Sequence, residues 1–351
     1  MLNTTRNFLK QSSKRSYTTS SAKYVLEHLK ERCLIRVVGA EVSEFLQGLI
    51  TNDIKHLENG PGSMYTMFLN TKGRVTHDSI IYRTEEDNSY LIECDLDGVE
   101  ALQRQLKLYR VRRKIDIIGL QKEYKIHALF NVNNANVGSS LTYNVNSELV
   151  VPCDKLNATL PSTSSKFHRD LSIFRDPRIN LLGSRVISKI DVDVKEQIKD
   201  LVEVDDSSKD YRWFRYNLGV GEGTSDLPTG NCFPLEANCD YLHGVSFHKG
   251  CYIGQELTAR TYHTGVIRKR LMPLHFTTVP SKIPDEPTIV HENDNLGKFR
   301  GLHGNVGLAL LRISKALNYG EIKVGDGVAK VLRPSWWPVE VSKEKMSLQK
   351  S

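Results

Sequence analysis

No run of apolar residues in this chain approaches the ~18 that a membrane-spanning helix requires, so the sequence predicts a soluble protein with no membrane partner. A paired cysteine framework is also missing. The six cysteines, Cys33, Cys94, Cys153, Cys232, Cys239 and Cys251, are spaced irregularly along 351 residues, and a disulfide scaffold is not expected. Cys232, Cys239 and Cys251 with His243 and His248 invite a zinc reading, but the six-residue gap between the first two exceeds the two to four usual for structural zinc pairs. Zinc-finger, RNP and helix-turn-helix patterns are absent, and no internal repeat recurs at a fixed period. The first seventeen residues lack acids altogether. They carry Arg6, Lys10, Lys14 and Arg15 among hydroxyl and amide side chains, with Leu2, Phe8 and Leu9 interspersed, which reads as a mitochondrial presequence over residues 1–17 and places the protein in the mitochondrial matrix. Without those four cations the formal charge of +7 falls to +3, so basicity gives no support for a nucleic-acid partner.

What is present is ordinary globular composition, 39% apolar and 25% charged, in a chain long enough for two or three domains. Tyr24 to Lys30 reads as a short helical or capping stretch and Cys33 to Val38 as an apolar strand. Phe45, Leu46, Leu49 and Ile50 share one face of a helix over Ser43 to Ile50. Strands follow at Ser63 to Leu69, Arg74 to Tyr82 and Tyr90 to Cys94, then a helix at Gly98 to Tyr109. Further strands are expected at Lys114 to Ile118, Tyr124 to Phe130, Glu148 to Val151 and Leu171 to Phe174, with the Asn-rich stretch Asn131 to Ser147 as a loop, and a helix at Tyr211 to Leu218. Beyond Gly265, short strands punctuated by Gly and Pro at Lys269 to Thr277, Pro287 to His291, Asn305 to Leu311, Gly320 to Val324 and Gly327 to Leu332 predict a small barrel. Trp336 and Trp337, between Pro334 and Pro338, read as a plug for its end. The pattern is α+β.

The most informative segment is Lys249-Gly250-Cys251-Tyr252-Ile253-Gly254-Gln255-Glu256, a thiol between two glycines in a tight loop entering a helix. The glycines admit unusual backbone conformations and let another surface approach, while Lys249 is placed to favour a thiolate, as a soft metal ligand or a nucleophile needs. The alternative is a small buried apolar residue. KGCYIGQE, together with FLQGLITND (Phe45 to Asp53), TKGR (Thr71 to Arg74), LYRVRRK (Leu108 to Lys114), DPR (Asp176 to Arg178), LGSR (Leu182 to Arg185), PLEAN (Pro234 to Asn238), GVSFHKGCYIGQELTART (Gly244 to Thr261) and GVIRKR (Gly265 to Arg270), resembles the folate-binding YgfZ-type family. That family is related to the aminomethyltransferase (T-protein) of the glycine cleavage system, and the likeness is greater to its mitochondrial iron–sulfur cluster assembly branch. The segments are scattered in order over most of the chain.

The resemblance implies a T-protein-like fold: two interwoven α+β modules around a central opening, at about 18–110 and 111–264 within a folate-binding region 18–264, then a C-terminal β-barrel at 265–340 and a polar tail at 341–351. It implies tetrahydrofolate as a cofactor, and Arg215, Glu236, Lys249 and Tyr252 are assigned to its site. Asn217 stands where the family has an acid, and Glu236 reads equally as a helix N-terminal carboxylate. One thiol cannot complete a two-iron cluster, so Cys251 as a metal ligand implies a transient Fe-S cluster shared with a partner; the resemblance points to an A-type iron–sulfur carrier and to [4Fe-4S] client apoproteins of the aconitase and lipoate-synthase types. The other function carried forward is a folate-dependent one-carbon transferase. His77 counts against it, since it stands at the first position of the family's Asp-Asp pair, where only Asp78 remains; an assembly factor without a catalytic residue is therefore preferred to an enzyme. His77 alternatively faces solvent on an alternating strand. The basic clusters Arg110 to Lys114 and Arg268 to Arg270 read either as docking sites for an acidic surface or a polyglutamate tail, or as solvated strand edges.

Overall fold

The computed structural model describes residues 24–59, 62–134, 165–205, 209–283 and 287–338. The presequence, most of the Asn-rich loop, the strand expected at Glu148 to Val151 and the polar tail lie outside the described residues. Labels below run in chain order. One five-stranded sheet contains β2 (Arg32–Val38), β3 (Ser63–Leu69), β4 (Val75–Arg83), β5 (Ser89–Asp95) and β6 (Asp116–Gly119), in the order β3-β4-β5-β2-β6. Three helices accompany it, α1 (Val42–Gln47), α2 (Lys55–Asn59) and α3 (Val99–Arg110). Val99, Leu102 and Leu106 recur at helical spacing and put one face of α3 into the same core as Phe45, Leu46 and Leu49. Every residue of edge strand β3 is buried, because the 50–52 segment covers its outer side: Ile50 bridges Phe68, and the Thr51 N–H donates to the Met67 carbonyl at 3.0 Å.

A second sheet has the order β1-β7-β10-β9-β8, from β1 (Val25–His28), β7 (Tyr124–Phe130), β8 (Ser165–His168), β9 (Leu171–Arg175) and β10 (Ser184–Lys189), with α4 (Val194–Ile198) nearby in sequence. The modules are interwoven through exchanged strands. β6 lies beyond residue 110 yet completes the first sheet, whereas β1 precedes that sheet in sequence and edges the second. The helical or capping stretch expected at Tyr24 to Lys30 is thus corrected to a strand. Val25 through His28 pair antiparallel with Phe130 through His127, and that tertiary ladder decides the conformation of a segment too short to declare its own period.

Between sheets and barrel run α5 (Tyr211–Leu218), α6 (Gly223–Asp226) and α7 (Gln255–Thr264). At α5, Asp210 caps the first turn by accepting from the Trp213 N–H, and Gly219, at φ 75°, ends the last. The barrel comprises β11 (Lys269–Thr278), β12 (Thr288–His291), β13 (Asp294–His303), β14 (Val306–Arg312), α8 (Ile313–Tyr319), β15 (Glu321–Val324) and β16 (Gly327–Val331), with strand order β12-β13-β14-β11-β16-β15. It is nearly closed, since the Lys323 N–H on β15 donates to His291 Nδ1 on β12 at 3.3 Å. Trp337 packs into the barrel core, while Trp336 Nε1 donates to the Leu218 carbonyl at 2.7 Å and ties barrel to α5. Arg270 is no solvated strand edge: it is buried, forked onto Asp240 by two 2.7 Å bonds and stacked 3.7 Å from the Tyr241 ring centre.

Candidate functional site

Cys251 is exposed, whereas Cys33, Cys94, Cys232 and Cys239 are buried; burial pushes the Cys232 thiol up to about 12. The exposed thiol rides on a loop bound at several points to the end of α1. Lys249 Nζ donates to the carbonyls of Gln47, Ile50 and Asn52, each at 2.7 Å, and lies 4.9 Å from the Tyr252 ring centre. Burial pulls the Lys249 amine down to about 7. Three carbonyl acceptors need three N–H donors, however, and only the ammonium has three, so the geometry is that of the charged form. All three of its donors are occupied by backbone carbonyls, so Lys249 acts here as a backbone clamp.

Further bonds fix the loop on either side. The Ser246 N–H donates to the Thr51 carbonyl at 3.1 Å, Thr51 Oγ1 to the Gly244 carbonyl at 2.6 Å, Asn52 Nδ2 to the His243 carbonyl at 2.8 Å and the Ile253 N–H to the Gly48 carbonyl at 3.1 Å. The FLQGLITND segment is therefore the dock on which KGCYIGQE rests. TKGR supplies a third wall: Gly73 and Gly254, at φ 72° and 76°, face each other so closely that a Cβ on Gly254 would overlap the Asn70 carbonyl oxygen and meet Gly73 Cα at 3.0 Å. Gly250 has no such neighbour within 4 Å, so the space beside Cys251 is open. Tyr252 is half-buried against the central core, and burial pushes its phenol pKa up. Phe247 stacks on Tyr262 of α7 at 3.5 Å and 10°. Among the described residues no three His, Cys, Asp or Glu side chains converge to hold a metal.

A separate constellation occupies the junction of the two sheets with α5 and α6. Arg178 forks onto Asp176 with 3.0 and 2.7 Å bonds and meets Glu222 at 2.7 Å. Arg185 also meets Glu222 at 2.5 Å, and Glu93 at 3.4 Å; Arg32 donates to Glu93 at 2.9 Å and lies 3.5 Å from Asp78. Arg215 donates to Asp226 at 2.9 Å and to the Val220 carbonyl at 2.8 Å. Against the cost of burial, Arg185, Arg178 and Arg215 hold the Glu222 carboxyl well below its ordinary range, whereas burial raises Asp78 despite Arg32. Seven polar atoms of this network are buried without a hydrogen-bond partner; Arg178 Nη1, Arg185 Nε and Arg215 Nε still face a carboxylate oxygen as ion pairs, whereas Arg32 Nη2, Arg185 Nη1, Asp78 Oδ2 and Tyr65 Oη do not. Of these four, the two guanidinium nitrogens can only donate and the Asp78 oxygen, when ionised, can only accept.

Arg215 belongs to this network and Glu236 does not. Glu236 is half-buried near Lys269, Arg300 and Arg74, and burial raises its carboxyl pKa. His77 is buried, correcting the solvent-facing alternative: its Nε2 lies 3.1 Å from the Gly98 carbonyl, on the face of β4 opposite Asp78. Sequence reasoning missed Arg32, Glu93, Glu222 and Asp226 as members of the network. The available signal was a charge inside or at the start of an apolar strand, Arg32 before Cys33 to Val38 and Glu93 within Leu91 to Cys94.

Residues 22–128 match the family model described as the GCVT N-terminal domain, and residues 268–339 match that described as the CAF17 C-terminal beta-barrel domain. The structure is similar to the glycine cleavage system aminomethyltransferase T of Bartonella henselae, with TM-score 0.62 and 15% identity, covering 90% of this chain and 86% of that one. The two interwoven sheets and the barrel thus define a protein of the aminomethyltransferase-like fold. Among curated proteins the chain is 35% identical to the human iron-sulfur cluster assembly factor IBA57, mitochondrial, over 91% of this chain and 87% of that protein, and 34% identical to its mouse counterpart over 88% and 84%. The chain belongs to the IBA57 family of mitochondrial iron–sulfur cluster assembly factors.

Proposed function

We propose that the protein acts in the mitochondrial matrix in the maturation of [4Fe-4S] proteins, sharing a transient cluster through Cys251 with an A-type iron–sulfur carrier. The clients are of the aconitase and lipoate-synthase types. The observation that carries this reading is the one exposed thiol among the described residues, on a loop pinned by Lys249, with open space at Gly250. A cluster is cargo here: one thiolate supplies one ligand, and the carrier must bring the others. Anaerobic reconstitution of iron and sulfide with the mature chain and the carrier tests it. A shared visible chromophore lost in Cys251→Ser supports ligation, and an unchanged one removes Cys251 from the mechanism.

Tetrahydrofolate fits the central network better than the four-residue set expected from sequence. Arg32 and Arg185 offer unpartnered donors, Asp78 an unpartnered acceptor and Tyr65 a hydroxyl, which together suit the amide edge of a pterin. Arg215 would act by holding Asp226, and Tyr252 by walling the loop side. One observation favours the second reading, a folate-dependent one-carbon transferase: Asp78, the retained acid of the pair, has a free oxygen in a buried site. Turnover of methylenetetrahydrofolate that disappears in Asp78→Asn would establish it.

A further inference from the structure

The eleven residues 104–114 contain six cations, Arg104, Lys107, Arg110, Arg112, Arg113 and Lys114, and no acid. Arg110 turns inward, its Nη1 donating to the Ile115 carbonyl at 2.9 Å. The other five are exposed. Arg104 meets Glu100 at 3.6 Å and Arg113 meets Glu41 at 3.9 Å, both in solvent, where such pairs hold little. Within this basic surface two apolar side chains stand out in water, Leu108 at 71% and Val111 at 74% exposure. Arg104, Lys107 and Leu108 follow one another at helical spacing and form a stripe opposite the buried face of α3, and Val111 is the residue that ends the helix just beyond it.

Val111 is held at φ 52°, a region that a β-branched residue enters only under strain. A glycine would take this turn without cost. The valine instead holds an isopropyl group outward between Arg110 and Arg112. Protection of a strand edge does not account for the cluster, because it precedes β6 rather than lying on it. The basic turn after α3 is linked to the thiol loop through α1: Arg113 lies 3.9 Å from Glu41 at the start of that helix, and the Gly48 carbonyl at its end accepts from the Ile253 N–H at 3.1 Å, two residues past Cys251. The helix between them is about 9 Å long.

We propose that the basic, apolar-tipped end of α3 is the docking surface for an acidic face of the cluster-carrying partner that meets Cys251. The proposal rests on the cluster-sharing reading: a partner supplying the remaining ligands must bury surface next to the thiol. Five exposed cations steer an acidic face toward it, and Leu108 and Val111 are the apolar anchors once it arrives.

The test compares full mature chains binding the A-type carrier at several salt concentrations. Arg112→Glu/Lys114→Glu should weaken the complex about tenfold or more and flatten its salt dependence, mostly through slower association. Leu108→Ser should weaken it mainly through faster dissociation. Circular dichroism confirms that these exposed substitutions leave the fold intact. Unchanged affinity and salt dependence in both variants overturn the docking surface. If the chromophore still vanishes in Cys251→Ser, only the surface has failed; if the native chain forms no complex with the carrier, both readings fall. Binding of the native chain to vesicles of anionic phospholipid, abolished by the charge reversal while carrier affinity is untouched, would reassign the stripe to a membrane surface and also overturn the proposal.

Discussion

His243 shows how one residue links the site to pH. It adopts φ 57° at the start of the cysteine loop, its carbonyl accepts from Asn52, and its Nδ1 is buried without a partner. Burial pulls its pKa from about 6.5 to about 4, and His127 in the second sheet is lowered likewise, with His28 and Lys125 contributing. As pH falls below 6.5 the unfolded chain binds protons that the folded chain refuses until about pH 4. Stability is therefore full above 6.5 and is lost across that window. Urea midpoints measured from pH 7 to 4 should decline, and His243→Asn should flatten the slope, because asparagine tolerates the left-handed backbone and carries no proton to gain. A slope identical to the native chain's would remove His243 as its source. Little of this was visible in the sequence, where His243 figured only as a zinc donor; burial and φ belong to the tertiary structure. That Cys251 lies on an open loop was legible from the glycines on either side of it, but the contacts of Lys249 were not. Nearness in sequence suggested a thiolate partner, and the ammonium turned away to carbonyls contributed by another segment.

At the scale of elements, the two glycines read alike in sequence and differ in the fold. Gly254 is wedged against Gly73 at positive φ, whereas Gly250 faces open space. Gly254→Ala should therefore cost at least about 2 kcal/mol in chemical denaturation, and Gly250→Ala about 0.5 or less. Equal effects would show that the interlock does not hold the loop. Elements with a strong pattern were legible: α3 through Val99, Leu102 and Leu106, and β14 through the apolar run Val306 to Leu311. Others were hidden for identifiable reasons. β13 carries Gly297, Gly301 and a bulge at Arg300, which breaks alternation, and β8 and β10 are short and rich in Lys, Arg and Ser. β1 exists through its pairing with β7.

At the scale of the whole molecule, Glu222 is the keystone. It meets Arg178, Arg185 and Arg215, which come from the segment between β9 and β10, from β10 and from α5, while Arg185 continues through Glu93 to Arg32 in the first sheet. Glu222→Gln leaves three buried guanidiniums short of an anion and should destabilise the chain by about 3–5 kcal/mol, read as one cooperative loss of both sheets and α5 in thermal unfolding. A loss confined to one sheet, or a change below about 1 kcal/mol, would show the network to be peripheral. DPR and LGSR announced two of these arginines in the sequence, but their partners could be known only once strands far apart in the chain had met. The Lys249 clamp has a related consequence. Its three acceptors lie 197 to 202 residues upstream, so the thiol reaches its working position only after the N-terminal module has formed and the chain has been synthesised well past its midpoint. Under the cluster-sharing proposal, competence to accept cargo is thereby a report on completed folding. A chain whose N-terminal module has not folded has the cysteine but not its anchorage.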